Sequence, residues 1–77
     1  MKINVLFFGI LTDIVKASSM QIEDVENIRQ LKSWLWKNYP QTKDMDFQIA
    51  LNKNIVDGKH DLNDGDEVAL LPPFAGG

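Results

Sequence analysis

The chain has 77 residues, which suffices for one compact domain that buries roughly 60–65% of the surface its unfolded chain would expose. Its 44% hydrophobic and 25% charged residues are ordinary for a folded protein and exclude a disordered or fibrous chain. The lack of cysteine excludes disulfides, thiolate metal sites and a cysteine nucleophile, and the net charge of −3 with a single arginine argues against a nucleic-acid partner.

The first predicted element is a strand over residues 2–8. These residues are mostly β-branched, aromatic or leucine, and Gly9 follows them as a natural stop. Because successive side chains of a strand point to opposite faces, Ile3, Val5 and Phe7 form the face directed towards the core.

Two short elements follow. Residues 10–17 carry apolar side chains at helical spacing and predict one or two helical turns. Met20 and Ile22 alternate with polar neighbours, which predicts a second strand paired with the first as a hairpin.

The main helix is predicted over residues 28–38. Asn27 is a good N-cap, and Gln30 occupies the capping-box position three residues later. Pro40 disfavours helical geometry at the preceding residue and ends the element. One narrow stripe of apolar side chains is expected to pack on the sheet: Ile28, Leu31, Leu35 and Tyr39.

The second half of the chain predicts three more strands. Residues 41–46 are interpreted as a polar linker, followed by an alternating strand over 47–51. Residues 52–54 form a turn before a short strand at 55–56. The last strand, over 67–71, follows a strong turn signal.

This order of elements predicts an α+β fold, in which one main helix packs on one face of a mixed sheet. It is the order of the ubiquitin-like β-grasp fold. We expect residues 1–71 to form the β-grasp domain and residues 72–77 to form a flexible C-terminal tail. One fold carries many functions, so the fold alone assigns none.

The tail carries the most specific chemical signal. Pro72 and Pro73 fix their φ angles and favour an extended exit from the last strand. Gly76 and Gly77 have no side chains, so they fit a channel too narrow for other residues and bring the terminal carboxylate to a buried site. The alternative interpretation is an ordinary frayed terminus.

An exposed apolar patch is predicted at the root of the tail. If Val68 and Leu70 face the core, the residues that alternate with them lie on the outer face, and such a patch is typical of a protein interface. The alternative is that the short helix or residues 55–56 cover part of it. The predicted partner interface consists of Leu6, Phe8, Ala69, Leu71, Pro72, Pro73, Phe74 and Ala75.

Three segments together resemble one known family. They are K-I-N-V-L-F-F at residues 2–8, D-G-D-E-V-A at residues 64–69 and P-P-F-A-G-G at residues 72–77. This combination resembles the molybdopterin synthase small subunit, a ubiquitin-like sulfur carrier. The resemblance covers the whole chain, although residues 15–46 match in pattern more than in motif.

The resemblance implies a cycle of sulfur transfer. A ubiquitin-activating-type enzyme uses ATP to adenylate Gly77, and a sulfur donor converts this group into a thiocarboxylate, with Gly76 as its spacer. The carrier then docks on the large subunit of a heterotetramer and donates sulfur to cyclic pyranopterin monophosphate. Two transfers build the dithiolene of molybdopterin. The catalytic side chains are expected on the large subunit, so this chain is a non-catalytic donor subunit that binds no cofactor itself.

Three alternatives remain open. A sulfur carrier of the thiamine pathway shares the terminal Gly-Gly and the adenylation, although Pro72 and Pro73 favour the molybdenum pathway. A ubiquitin-like modifier commonly has arginine where this chain has Ala75. A β-grasp interaction module would use its surface alone, and Gly77 would then be dispensable.

Other features are interpreted as structural. Asp64 and Asp66 are predicted turn formers and not metal ligands, and the only histidine, His60, is a solvated loop residue. Trp34 and Trp36 are expected to be half-buried against the sheet. The first residues contain no signal peptide or membrane span, so we expect a cytoplasmic protein without a membrane or nucleic-acid partner.

Overall fold

The computed structural model describes residues 1–72, and residues 73–77 lie outside this range. All the predicted helices and strands are confirmed, and the bounds of the main helix and the last strand are as predicted. In chain order the elements are β1 (Lys2–Phe7), α1 (Ile10–Val15), β2 (Ser19–Glu23), α2 (Ile28–Asn38), a 3-10 helix (Pro40–Asp44), β3 (Gln48–Leu51), β4 (Asn54–Val56) and β5 (Glu67–Leu71).

The strands form one mixed sheet in the order β2-β1-β5-β3-β4. The first and last strands of the chain, β1 and β5, lie side by side and are parallel, whereas every other neighbouring pair is antiparallel. The parallel pair requires a crossover connection, and α2 lies within that connection. This arrangement confirms the α+β, ubiquitin-like β-grasp fold.

The core lies between α2 and the inner face of the sheet. Phe7 is 2% exposed, and Ile3 and Val5 are fully buried, as the alternation predicted. Of the predicted helix stripe, three residues are buried and Tyr39 is half-buried at the helix end. The buried cluster of these elements comprises Ile3, Val5, Phe7, Ile22, Ile28, Leu31, Leu35, Ile49, Val68 and Leu70.

The start of α2 is fixed by side-chain caps. The Asn27 side-chain oxygen accepts a hydrogen bond of 2.8 Å from the Gln30 backbone N–H, as a good N-cap should. The Gln30 side-chain oxygen accepts a 2.8 Å bond from the N–H of Glu26, not from that of Asn27. The reciprocal bond of the capping box is therefore displaced by one residue towards the N-terminus.

The polar linker predicted over residues 41–46 is mostly a 3-10 helix, so that interpretation was wrong. Pro40 occupies its first turn, where the missing N–H removes no hydrogen bond. Thr42 is fully buried, and its hydroxyl donates a 2.7 Å hydrogen bond to the Tyr39 carbonyl. The burial of Thr42 was not predicted because its neighbours are polar. It is possible because the hydroxyl has a hydrogen-bond acceptor three residues away.

The turn before β5 is hydrogen-bonded to β1 and to the turn between β3 and β4. A side-chain oxygen of Asp64 accepts a 2.7 Å bond from the Lys2 N–H. The carboxylate of Asp66 accepts bonds from the Asn63 N–H at 2.8 Å and the Asn52 side-chain amide at 3.1 Å. Both aspartates are thus turn formers, as predicted, and residues 1–72 contain no group of side chains suited to hold a metal ion.

The remaining structural predictions concern surface residues. His60 is exposed, with its Nε2 atom 3.6 Å from a carboxylate oxygen of Asp57, which confirms a solvated loop residue. Trp34 and Trp36 are half-buried, as expected. Over residues 1–72, the structure contains no helix with the length and apolarity needed to cross a membrane.

Candidate functional site

The outer face of the sheet carries a continuous row of small and apolar residues. Strand pairing places Leu6 opposite Ser19 on one side and Ala69 on the other. Ala69 in turn lies opposite Ala50, and Ala50 opposite Ile55. Directly paired residues share a face of the sheet, so one row crosses all five strands.

The neighbouring row leads to the root of the predicted tail. Leu71 lies opposite Gln48, on the same face as Ala69. Phe8 and Leu71 each follow a residue of the parallel pair formed by Phe7 and Leu70, so they occupy the next register position. Phe8 is 44% exposed, whereas Leu71 is half-buried.

Gly9 and Pro72 fit closely together where the chain leaves the sheet. A Cβ atom added to Gly9 would lie 2.9 Å from the Cγ atom of Pro72, closer than real Cβ contacts allow. Gly9 also has φ of 56° and ψ of −135°, a conformation that side chains disfavour. Two independent observations therefore favour glycine at this position: its positive φ and the close approach of Pro72.

The outer patch is larger than the sequence predicted. Ile10, the first residue of α1, is 56% exposed, and Ile55 is 58% exposed. Residues 55–56 therefore do not cover the patch: Ile55 extends it, and Val56 packs against the core. Strand pairing places Ala50 on the outer face although it is 7% exposed, whereas no strand pairing assigns Ile10 to this face. We define the outer patch as Leu6, Phe8, Ala50, Ile55, Ala69, Leu71 and Pro72.

Two of these additional residues could have been found from the sequence. Asn52 and Lys53 both have positive φ, and they form a two-residue turn that pairs Leu51 with Asn54. This turn length brings Ala50 opposite Ile55 on the outer face. A turn of two residues, Asn52 and Lys53, would have predicted which residues of β3 and β4 are paired. No sequence pattern predicts that Ile10 is exposed.

The outer patch has no side chain that titrates or attacks a substrate. It consists of aliphatic, aromatic and proline side chains, and an exposed apolar surface of this kind is typical of a protein interface. The other half of the outer face is polar and includes an ion pair of 3.6 Å between Lys2 and Glu23. Of the predicted site residues, Leu6, Phe8, Ala69, Leu71 and Pro72 come together here. Pro73, Phe74, Ala75, Gly76 and Gly77 lie outside the described residues.

Comparisons with known proteins agree on one family. The model of the ThiS family matches residues 5–77. The chain is 35% identical to the molybdopterin synthase sulfur carrier subunit of Mycobacterium tuberculosis, over 99% of this chain and 98% of that protein. It is similar to a chain in the complex of subunits 1 and 2 of the molybdopterin-converting factor from Helicobacter pylori. That match has a TM-score of 0.74, 30% identity and full coverage of both chains.

A third comparison shows the fold alone. The small archaeal modifier protein 1 of Methanosarcina acetivorans is similar with a TM-score of 0.81, covering 99% of this chain and 96% of that one. Its sequence identity is 22%. Such a distant likeness carries no function from one chain to the other.

Proposed function

This chain belongs to the ThiS family, and we propose that it is the sulfur carrier of a molybdopterin synthase. One observation carries the proposal: a carrier subunit from M. tuberculosis aligns with 99% of this chain at 35% identity. The outer patch supports it, because a carrier without catalytic side chains needs a surface on which its partners dock.

The proposed chemistry takes place at the carboxylate of Gly77. A carboxylate is unreactive until it is activated, and attack of its oxygen on the α-phosphate of ATP gives an acyl adenylate and releases pyrophosphate. A sulfide-equivalent donor then attacks the acyl carbon, AMP leaves, and a thiocarboxylate remains. Its sulfur is a softer and better nucleophile than the original oxygen.

Sulfur delivery then regenerates the carrier. The thiocarboxylate sulfur attacks a carbon of cyclic pyranopterin monophosphate and displaces an oxygen substituent of that carbon, which leaves with the bonding electron pair. The carrier is then joined to the substrate through its acyl–sulfur bond. Water cleaves this bond at the acyl carbon, so the sulfur stays on the pterin and the Gly77 carboxylate is restored. A dithiolene contains two sulfurs, so each product consumes two charged carriers.

The outer patch would dock the large subunit of the synthase. The H. pylori complex joins subunits 1 and 2 of a molybdopterin-converting factor, and the chain in it that matches ours is 30% identical. Docking at the root of the tail would bring Gly76 and Gly77 close to the partner, and a pair of residues without side chains would fit a narrow channel. A heterotetramer of two small and two large subunits follows from the family resemblance.

Activation requires a second partner. A ubiquitin-activating-type enzyme would supply the ATP chemistry, and this chain would bind no cofactor itself. An ATP-dependent step fits the cytoplasmic location expected from the sequence. The names of the relatives at 30% identity or more favour the molybdenum pathway over the thiamine pathway.

Intact-mass measurement tests the carrier function directly. The full chain is incubated with ATP, the cognate activating enzyme and a sulfur source, and we expect one oxygen to be replaced by one sulfur, located on Gly77 by fragmentation. The matched control lacks Gly77 and should keep its mass. Full synthase activity of the shortened chain would contradict the proposal and favour an interaction module.

A further inference from the structure

The polar half of the outer face contains one carboxylate without a partner. Glu67 begins β5 and lies opposite Asn4 of β1, on the same face as the outer patch. Its backbone is fixed, because its N–H donates a 3.0 Å bond to the Asn52 side chain. Its carboxylate, however, forms no hydrogen bond or ion pair with any residue in the range 1–72.

Glu67 is one of the residues that line an open depression of about 410 Å³ beside the outer patch. Asn4 and Gln21, which are paired across β1 and β2, contribute side-chain amides that likewise have no hydrogen-bond partner within residues 1–72. Leu6 and Met20 supply its apolar wall. The complete lining is Asn4, Leu6, Ser19, Met20, Gln21 and Glu67.

Within residues 1–72, no side chain neutralises the charge of Glu67. Lys2 is the cation two residues before Asn4 on the same face, and its Nζ atom pairs with Glu23 at 3.6 Å. Glu67 as a whole residue is half-buried, and no residue in the range 1–72 provides its carboxylate with a counter-ion. Such a group favours a partner that supplies the opposite charge.

We propose that this depression receives an arginine side chain from the partner that docks on the outer patch. The proposal rests on the proposed function, because Leu6 belongs both to the depression and to the patch, which makes the two surfaces continuous. A guanidinium has five N–H donors and pairs with a carboxylate through two parallel bonds, so Glu67 fits one edge of it. The side-chain oxygens of Asn4 and Gln21 accept its remaining donors.

The shape of the site selects arginine over lysine. The flat guanidinium spans a carboxylate and neighbouring amides at once, whereas an ammonium group is a compact point charge. The aliphatic stem of the arginine would lie along Leu6 and Met20, as long charged side chains do on apolar surfaces. Glu67 is then a specificity residue for the partner, while the outer patch supplies most of the contact area.

The test measures the affinity of the cognate large subunit for the full chain and for Glu67→Gln. This change keeps the shape and removes the charge, and we expect binding to weaken about 10-fold or more, with less dependence on salt concentration. Glu67→Lys places two cations together and should weaken binding further. Asp44→Asn removes an exposed charge from the 3-10 helix, away from this face, and serves as the matched control.

Two further readouts separate the possible outcomes. In ¹⁵N spectra, the side-chain amide signals of Asn4 and Gln21 should shift when the large subunit binds, and thermal unfolding should show that Glu67→Gln still folds. Wild-type affinity and salt dependence of Glu67→Gln would overturn the arginine site. If Phe8→Asp still disrupts binding in that case, the docking surface and the proposed function stand.

Discussion

The two faces of the sheet use the same alternating pattern for different purposes. On the inner face of β5, Val68 and Leu70 are 0% and 1% exposed, because α2 covers them. On the outer face, Ala69 and Leu71 are half-buried, and Phe8 beyond β1 is 44% exposed. Both faces carry apolar residues, but within residues 1–72 only the inner one is covered by a helix.

The apolar content of a strand therefore does not by itself show whether its residues stabilise the folded domain or a complex with another protein. Inner residues leave water when the chain folds, so they contribute to the free energy of folding. Apart from Ala50, residues of the outer patch stay partly in water in the isolated chain, and the proposed docking of a second protein would cover them. Their burial would then contribute mainly to association, and substitutions on the two faces should separate the two effects.

The largest expected effect is on the inner face. Phe7→Ala removes a large side chain that is 2% exposed and leaves a cavity, so we expect the free energy of unfolding to fall by about 3–5 kcal/mol. A small domain has little stability to lose, so urea denaturation should show a variant close to unfolding. A loss below about 1 kcal/mol would contradict the assignment of Phe7 to the core.

The next effect is on the outer patch. Phe8→Asp or Leu71→Asp places a charge where a partner would remove water, and we expect the binding free energy to weaken by about 2–4 kcal/mol. Folding should be retained, because Phe8 is already 44% exposed. Calorimetric titration with the large subunit measures the loss.

A matched control adds the same charge elsewhere. Ser33 is an exposed residue of α2, the helix that covers the inner face, so Ser33→Asp should bind the large subunit as the unchanged chain does. Unaltered binding by both Phe8→Asp and Leu71→Asp would remove the outer patch as the docking surface.

A smaller effect is expected from a substitution at Gly9, next to the point where the chain leaves β5. Gly9→Ala strains a residue with φ of 56° and brings its Cβ atom within 2.9 Å of Pro72, so we expect about 1–3 kcal/mol of destabilisation and a displaced Pro72. Sulfur transfer should slow, because the start of the tail moves relative to the outer patch. Thermal unfolding and single-turnover transfer measure the two consequences.

Gly65→Ala is the control for backbone strain alone. Gly65 has φ of 85°, yet apart from its own chain neighbours no atom of residues 1–72 lies within 4 Å of an added Cβ. This variant should lose stability without a change in sulfur transfer. Equal transfer rates for the two variants would show that the contact between Gly9 and Pro72 does not position the tail.

Local sequence signals determined most of the elements of this protein. The cap at Asn27 and the stop at Pro40 fixed α2, and the alternation over residues 67–71 fixed β5 and its two faces. Each of these signals acts within a few residues, through backbone geometry and side-chain caps. The fold family followed because the order of such elements admits few arrangements.

The tertiary structure alone decided which residues meet. Pairing of β1 with β5 joins segments some sixty residues apart, and it sets Leu6 beside Ala69 and Asn4 beside Glu67. The close approach of Gly9 to Pro72, and the depression that Asn4 and Glu67 line together, likewise exist only once these strands are paired. No local preference encodes such distances, because the burial of the whole core selects the strand order.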